Sequence, residues 1–287
     1  MNRSKDNRKT LFMSLVPLFS VLLLIFFPLK ASAAGTAVFN GTDFSPIYDF
    51  EYYTSHYPDV AALFGNDPQG ALAHFILFGI AEGRQGCEPV QAATQSEGPL
   101  AGFTVILDAG HGGRDPGCVR NGVYEKNVNL MIVYKTAAML QAQGATVLMT
   151  RPDDSYVCLE YRYCFQNIHP EAVFVSIHCN ALASNTSFSG INAFCNASCN
   201  ENSDELAACV YSGTLFATGA RGRGIRTDSN LRVNRYSTIP SVLMEVGYLS
   251  SRTEFQLLTS SDYQDLIAAG ITNGIMTYKE LLSTTQS

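Results

Sequence analysis

The chain has 287 residues, 46% of them hydrophobic and only 15% charged, which is enough for a substantial core and excludes wholesale disorder. The net charge is −6 and no basic stripe stands out, so nucleic acid is excluded as a partner.

Arg3, Lys5, Arg8 and Lys9 precede an apolar run from Leu11 to Phe27, and Ala31-Ser32-Ala33 follows it. That order is the pattern of a signal peptide over residues 1–33, cleaved after Ala33 or Ala34. An uncleaved anchor is the other reading, because the apolar run approaches spanning length. After cleavage no stable membrane span is expected. Loss of Arg3, Lys5, Arg8, Lys9, Lys30 and Asp6 takes the net charge from −6 to −10. So acidic a body does not cling to anionic polymers through bulk charge, and any such affinity must come from specific sites. All of the cysteines (Cys87, Cys118, Cys158, Cys164, Cys179, Cys195, Cys199, Cys209) lie beyond the leader. An even count in an exported chain points to disulfides, with buried free thiols as the alternative.

Residues 47–86 are rich in tyrosine and read as a small helical module. Pro58 to Phe64 has the form of a short helix with proline in its first turn and Gly65 at its end. Ala71, Leu72, Phe75, Ile76 and Phe78 line one side of a second helix. The segment resembles a short module of secreted Gram-positive proteins, marked by Tyr57 to Val60, Ala71 to Phe75 and Glu82 to Arg84. His56 and His74 lack a third ligand nearby and read as packing or surface residues. Residues 87–100 are polar, carry Pro89, Gly98 and Pro99, and read as a linker.

Beyond it, over 101–283, strands and helices alternate. Phe103 to Asp108, Thr146 to Thr150, Ala172 to His178 and Val242 to Val246 are short apolar runs of strand length. Val128 to Gln143, Leu159 to Asn167, Ser203 to Thr218 and Asp262 to Leu282 have helical character. The alternation predicts an α/β domain, a mainly parallel twisted sheet covered by helices on both faces, behind the small N-terminal helical module.

In such sheets functional groups gather where strands end. Here the first strand runs into Ala109-Gly110-His111-Gly112-Gly113, the third ends on His178, and Tyr124-Glu125-Lys126-Asn127 opens the first long helix. Two histidines and a carboxylate are the ligand set of a hydrolytic zinc site that keeps a fourth position for water. Glu245 interrupts the apolar run Val242-Leu243-Met244-Glu245-Val246, and a lone buried carboxylate is costly unless paired or working. Each has an ordinary alternative: tight turn geometry, a satisfied histidine at a strand end, an acid in a first helical turn, an ion pair. Their coincidence at the expected edge favours a site.

Six runs then carry a family resemblance. They are Leu107 to Gly117, Glu125 to Leu130, Met149 to Arg151, Leu159 to Arg162, Val175 to Ala181 and Pro240 to Ser250. On them, Gly102 to Leu282 resembles the catalytic domain of the zinc-dependent N-acetylmuramoyl-L-alanine amidases of bacterial cell walls. The resemblance implies one Zn2+ held by His111, Glu125 and His178, with Glu245 as the catalytic carboxylate. It also implies peptidoglycan as substrate, cut between N-acetylmuramic acid and L-alanine, and a secreted, wall-associated protein. Asn180 and Arg232 are expected to position substrate or brace ligands, and Asp108 to hold its loop. Cys118 and Cys179 depart from the alanine frequent in the family. A zinc peptidase acting within the stem peptide, and a wall-binding protein with an idle catalytic domain, are the alternatives. Were the tyrosine-rich module to cover the cleft, a chain starting near Gly98 would be more active.

Overall fold

The structure, a computed structural model, describes residues 37–40, 42–80, 82–88, 97–182, 186–228 and 230–285. The expected signal peptide lies outside the described residues, as do residues 89–96 of the expected linker.

The N-terminal segment begins with a small hairpin, β1 (Val38–Phe39) and β2 (Thr42–Asp43). Three short helices follow: α1 (Phe50–His56), α2 (Pro58–Phe64) and α3 (Pro68–His74). Asp49 and Asp67 cap α1 and α3 through their side chains, and prolines stand in the first turns of α2 and α3. The last helix runs on into a π-helical turn, Phe75–Gly79. His74 accepts or donates at Nδ1 to the Tyr53 hydroxyl at 3.0 Å, and His56 stacks on Tyr52. Both are therefore used in local packing.

The larger part contains, in order, β3 (Thr104–Ala109), the hairpin β4 (Val119–Arg120) and β5 (Val123–Tyr124), α4 (Glu125–Ala142), β6 (Thr146–Met149), α5 (Leu159–Asn167) and β7 (Ala172–Asn180). Then come β8 (Ile191–Cys195), α6 (Ser203–Thr218), β9 (Gly222–Thr227), α7 (Arg232–Arg235), β10 (Ser241–Tyr248), α8 (Arg252–Leu258) and α9 (Ser261–Thr285). The sheet order is β6-β3-β7-β10-β8-β9. Strands β6, β3, β7 and β10 pair in parallel, β8 runs antiparallel to β10, and β9 is parallel to β8. The sheet is thus mostly parallel and flanked by helices.

Side chains alternate across it, as a strand's period of two requires. Val105, Leu107, Val173, Val175, Val242 and Met244 join the core beneath α4, α6 and α9. Ile106, Phe174 and Leu243 join the opposite core with Tyr161 and Phe165 of α5 and Val233 of α7. Phe44, Ile47, Tyr48, Tyr53 and Phe75 of the N-terminal segment belong to that same second core. Phe44 meets Tyr161 edge-on at 5.2 Å, and the Cys158 amide donates to Thr42 Oγ1 at 2.8 Å. The tyrosine-rich segment is a cover for the sheet's α5 face.

The chain passes from β3 through α4 to β6, then back through α5 to β7 on the other side of β3. The two helices lie on opposite faces, so a crevice opens at the carboxyl ends of β3 and β7. Among the described residues no helix is long and apolar enough to cross a membrane. All of the cysteines are unpaired, with Cys158, Cys164, Cys179 and Cys195 buried as free thiols.

Candidate metal centre

The crevice between β3 and β7 gathers the residues singled out in the sequence. His111 sits just past β3 in the left-handed region, φ 62°, a conformation rare for a residue with a side chain. The loop is fixed by two buried arginines that take its carbonyls. Arg151 donates from Nε to Ala109 O at 2.8 Å and from Nη2 to Gly110 O at 3.0 Å, and Arg162 donates from Nη2 to His111 O at 2.7 Å. Arg162 is in turn paired with Asp108, which also accepts from Ser176 Oγ at 2.7 Å and Thr150 Oγ1 at 2.5 Å. Burial pushes the Asp108 carboxyl upward, but Arg162 and the two hydroxyls outweigh it and hold the group ionised below its ordinary range. Asp108 therefore holds the loop.

Glu125 opens α4, buried and pointing into the crevice. Its Oε1 lies 3.2 Å from His111 Nε2 and 3.1 Å from His178 Nδ1. The Cys118 amide donates to Oε2 at 2.8 Å, and the Cys179 amide and Asn129 Nδ2 donate to Oε1 at 3.1 and 3.3 Å. Burial alone would raise this carboxyl, but the hydrogen bonds from the two histidines overcome it and hold it far below the carboxylate range. For His111 burial acts downward, yet Glu125 and Asp115 raise it to about 9. Asp115 Oδ2 meets His111 Nδ1 at 2.8 Å, which leaves Nε2 facing inward.

One ligand atom from each of His111, Glu125 and His178 lies within 4.8 Å of the others. Two donors about 2.0–2.1 Å from a tetrahedral zinc ion stand roughly 3.3 Å apart, close to the 3.1 and 3.2 Å found here. The donor set and its spacing fit a small divalent ion. Two glycines make the room. A Cβ on Gly110 would fall 2.2–2.5 Å from the His178 ring, and one on Gly117 would fall 2.6 Å from both Glu125 Oε2 and His111 Cδ2.

Glu245 lies beside this group on β10, directly paired in register with His178 of β7. Its Oε2 is buried and has no hydrogen-bond partner among the described residues. Burial, with the Glu125 carboxylate adding to it, pushes Glu245 up to about 8, against a downward pull from His111. Asn180 ends β7 two residues past His178, with Oδ1 accepting from the Ala181 amide at 2.8 Å. Arg232 opens α7 and is ion-paired with Glu160 of α5 at 2.7 Å, its guanidinium near the Tyr163 and Tyr236 rings. That pairing ties α7 to α5. Asp115, Asn129, Arg151 and Arg162 received no role from the sequence, although all four but Asn129 act through backbone or ring contacts that only folding creates. Asn129 stands one helical turn after Glu125, and that i,i+4 spacing is the one signal in the sequence that could have found it.

The arrangement suits hydrolysis of an unactivated carbonyl bond: a cation site, a carboxylate able to move a proton, and a crevice open to a polymer. Comparison with known proteins agrees. A family profile described as N-acetylmuramoyl-L-alanine amidase matches residues 105–277. The Bacillus subtilis protein YqiI is 36% identical over 185 residues, 64% of this chain and 88% of its own. The B. subtilis N-acetylmuramoyl-L-alanine amidase LytC is 31% identical over 188 residues, 66% of this chain but only 38% of LytC. The crystal structure of an N-acetylmuramoyl-L-alanine amidase from Clostridium difficile 630 superposes with a TM-score of 0.60 at 36% identity, over 62% of this chain and 97% of that one.

Proposed function

Since the chain belongs to the N-acetylmuramoyl-L-alanine amidase family, we propose that it hydrolyses the amide between N-acetylmuramic acid and L-alanine of peptidoglycan, using zinc at His111, Glu125 and His178. The observation that carries the reading is the convergence of those three ligand atoms within 4.8 Å, with Glu245 their cross-strand neighbour. His111, Glu125 and His178 would hold the zinc ion, which when bound would supply Lewis acidity, activating water near neutral pH and polarising the carbonyl to be attacked.

The protein's own residues do the rest. Asp115 keeps the His111 ring turned so that Nε2 faces the centre. Glu245 takes the proton of the attacking water as it adds to the lactyl carbonyl, then delivers it to the departing nitrogen of L-alanine. A buried carboxylate poised near neutral pH is suited to both halves of that transfer. Asn180, two residues past His178 at the end of β7, is assigned to positioning substrate, and Arg232 to bracing α7 against α5 through its ion pair with Glu160. The leader-like residues and the wall amidases among its relatives support an action outside the cell, on the wall. Residues 1–33 serve as the signal peptide and 101–283 as the catalytic domain in this proposal.

Two substitutions test it. Glu245→Gln should retain metal and lose about 10²–10⁴ in turnover, while His178→Ala should lose metal and turnover together. Retained turnover in the first, or full metal content in the second, contradicts the assigned roles.

A further inference from the structure

We propose that Asn192 and Tyr248 form a positioning pair for Glu245, with Asn192 Nδ2 donating to the Glu245 oxygen that does not face the water. The inference rests on the reading of Glu245 as the proton carrier. It comes from the other side of β10, away from the metal ligands.

Strand β8 runs antiparallel to β10, and its register sets Asn192 directly opposite Glu245, two residues from the Phe194–Leu243 pair. Residues opposed in this way project from the same face with Cβ atoms about 4.5–5.5 Å apart. Three strands thus present His178, Glu245 and Asn192 side by side. Asn192 is 2% exposed, and its Nδ2 has no partner among the described residues. Glu245 Oε2 is also buried without one. One is a pure donor and the other a pure acceptor when ionised, so the two unsatisfied groups are complementary. Burying either alone is unfavourable, and native interiors rarely leave such groups unpaired.

The amide's direction is fixed from behind. Tyr248 Oη donates to Asn192 Oδ1 at 3.3 Å, which commits the oxygen end and leaves Nδ2 for the carboxylate. Tyr248 is held in turn, with the Phe188 ring edge-on at 4.9 Å and its backbone amide donating to Glu254 Oε2 at 2.7 Å. The other oxygen of Glu254 accepts from the Gly190 amide at 2.8 Å, one residue before β8. A single buried carboxylate therefore fastens the end of β10 to the start of β8, next to the Asn192–Glu245 pair. A carboxylate that must accept and return one proton gains from having its second oxygen anchored, because the first then keeps one direction through both transfers.

The test uses the mature protein with zinc. Asn192→Leu, which keeps the branched outline of the side chain and removes the donor, should lower kcat on the order of tenfold or more, a part of the roughly 10²–10⁴-fold of general acid–base catalysis. KM and zinc content should not change. Tyr248→Phe, which frees the amide to turn, should lower kcat by less. In a Glu245→Gln background Asn192→Leu should have no further effect on the residual rate, because the pair acts as a unit. Should Asn192→Leu fail to fold, the smaller and neutral Asn192→Ala removes the same donor and should show the same fall in kcat. Wild-type kcat in these variants, or an equal loss in the Glu245→Gln background, overturns the proposal. A Glu245→Gln enzyme that is itself fully active overturns the underlying reading instead, whatever Asn192 does.

Discussion

A carboxylate buried among strands is a stability cost that function has to justify, and Glu245 shows its sign. An ordinary glutamate titrates near 4.3, and burial lifts Glu245 to about 8 in the metal-free protein. Between those values the folded state binds more protons than the unfolded one, so stability falls as pH rises through the window. Glu245→Gln removes that slope. Melting of the metal-free proteins should show the variant more stable than wild type at pH 8 and no more stable at pH 4; an equal difference at both contradicts the burial argument. Asp108 has the opposite sign, being held ionised by Arg162 and two hydroxyls. Asp108→Ala strands a buried guanidinium and should cost about 3–5 kcal/mol. It should also weaken metal binding, because Arg162 then no longer holds the His111 carbonyl; unchanged melting and metal titration would argue against this network. In the sequence His111 stands out among glycines and Glu245 within an apolar run, whereas Glu125 and His178 are marked only by their places at a helix start and a strand end. Asn192 is hidden because its meaning lies in register, and a single asparagine within the short run Ile191 to Cys195 looks ordinary until β8 is paired with β10.

At the scale of elements, the strands that carry the centre are the ones easiest to read. Strands β3, β7 and β10 are buried on both faces and so appear as continuous apolar runs. Strands β8 and β9 escape notice for physical reasons. The former is five residues long, and the latter is an exposed edge strand, Gly222–Thr227, with two glycines and two arginines. Helix α1 is disguised because Tyr53 alone of its residues is buried, so no apolar stripe repeats at helical spacing. The join of β3 to its loop gives a further test. Gly110 lies against the His178 ring, and Gly110→Ala should displace the ring while leaving the strands intact. Near-native circular dichroism with a loss of bound metal is the expected outcome. Full metal occupancy would mean that the ring and the added methyl can coexist, and that the close packing is not needed.

The molecule as a whole is a sheet with two unlike faces. One is covered by α4, α6 and α9, and the other by α5, α7 and the tyrosine-rich segment. The β1–β2 hairpin that precedes it reaches the edge of the metal loop, where Arg114 Nη2 donates to Asn40 O at 3.1 Å and the Arg114 guanidinium lies 4.0 Å from the Tyr156 ring. Such a placement argues for support of the fold and against a lid over the cleft. Removing residues before Gly98 deletes Phe44, Ile47 and Phe75 and opens the core they share with Tyr161, Phe165 and Phe174, and each of those remaining side chains left exposed loses about 1.5–3 kcal/mol. The shortened chain should melt on the order of 10 °C lower or more and be no more active; higher activity with unchanged melting would restore the lid. The most direct test of the whole reading is mass spectrometry of purified peptidoglycan incubated with the mature protein, with and without a zinc chelator. Release of intact stem peptides bearing a free L-alanine amine, abolished by the chelator and restored by zinc, is the result predicted here. Cleavage within the stem peptide, or release that persists in the chelator, would contradict it.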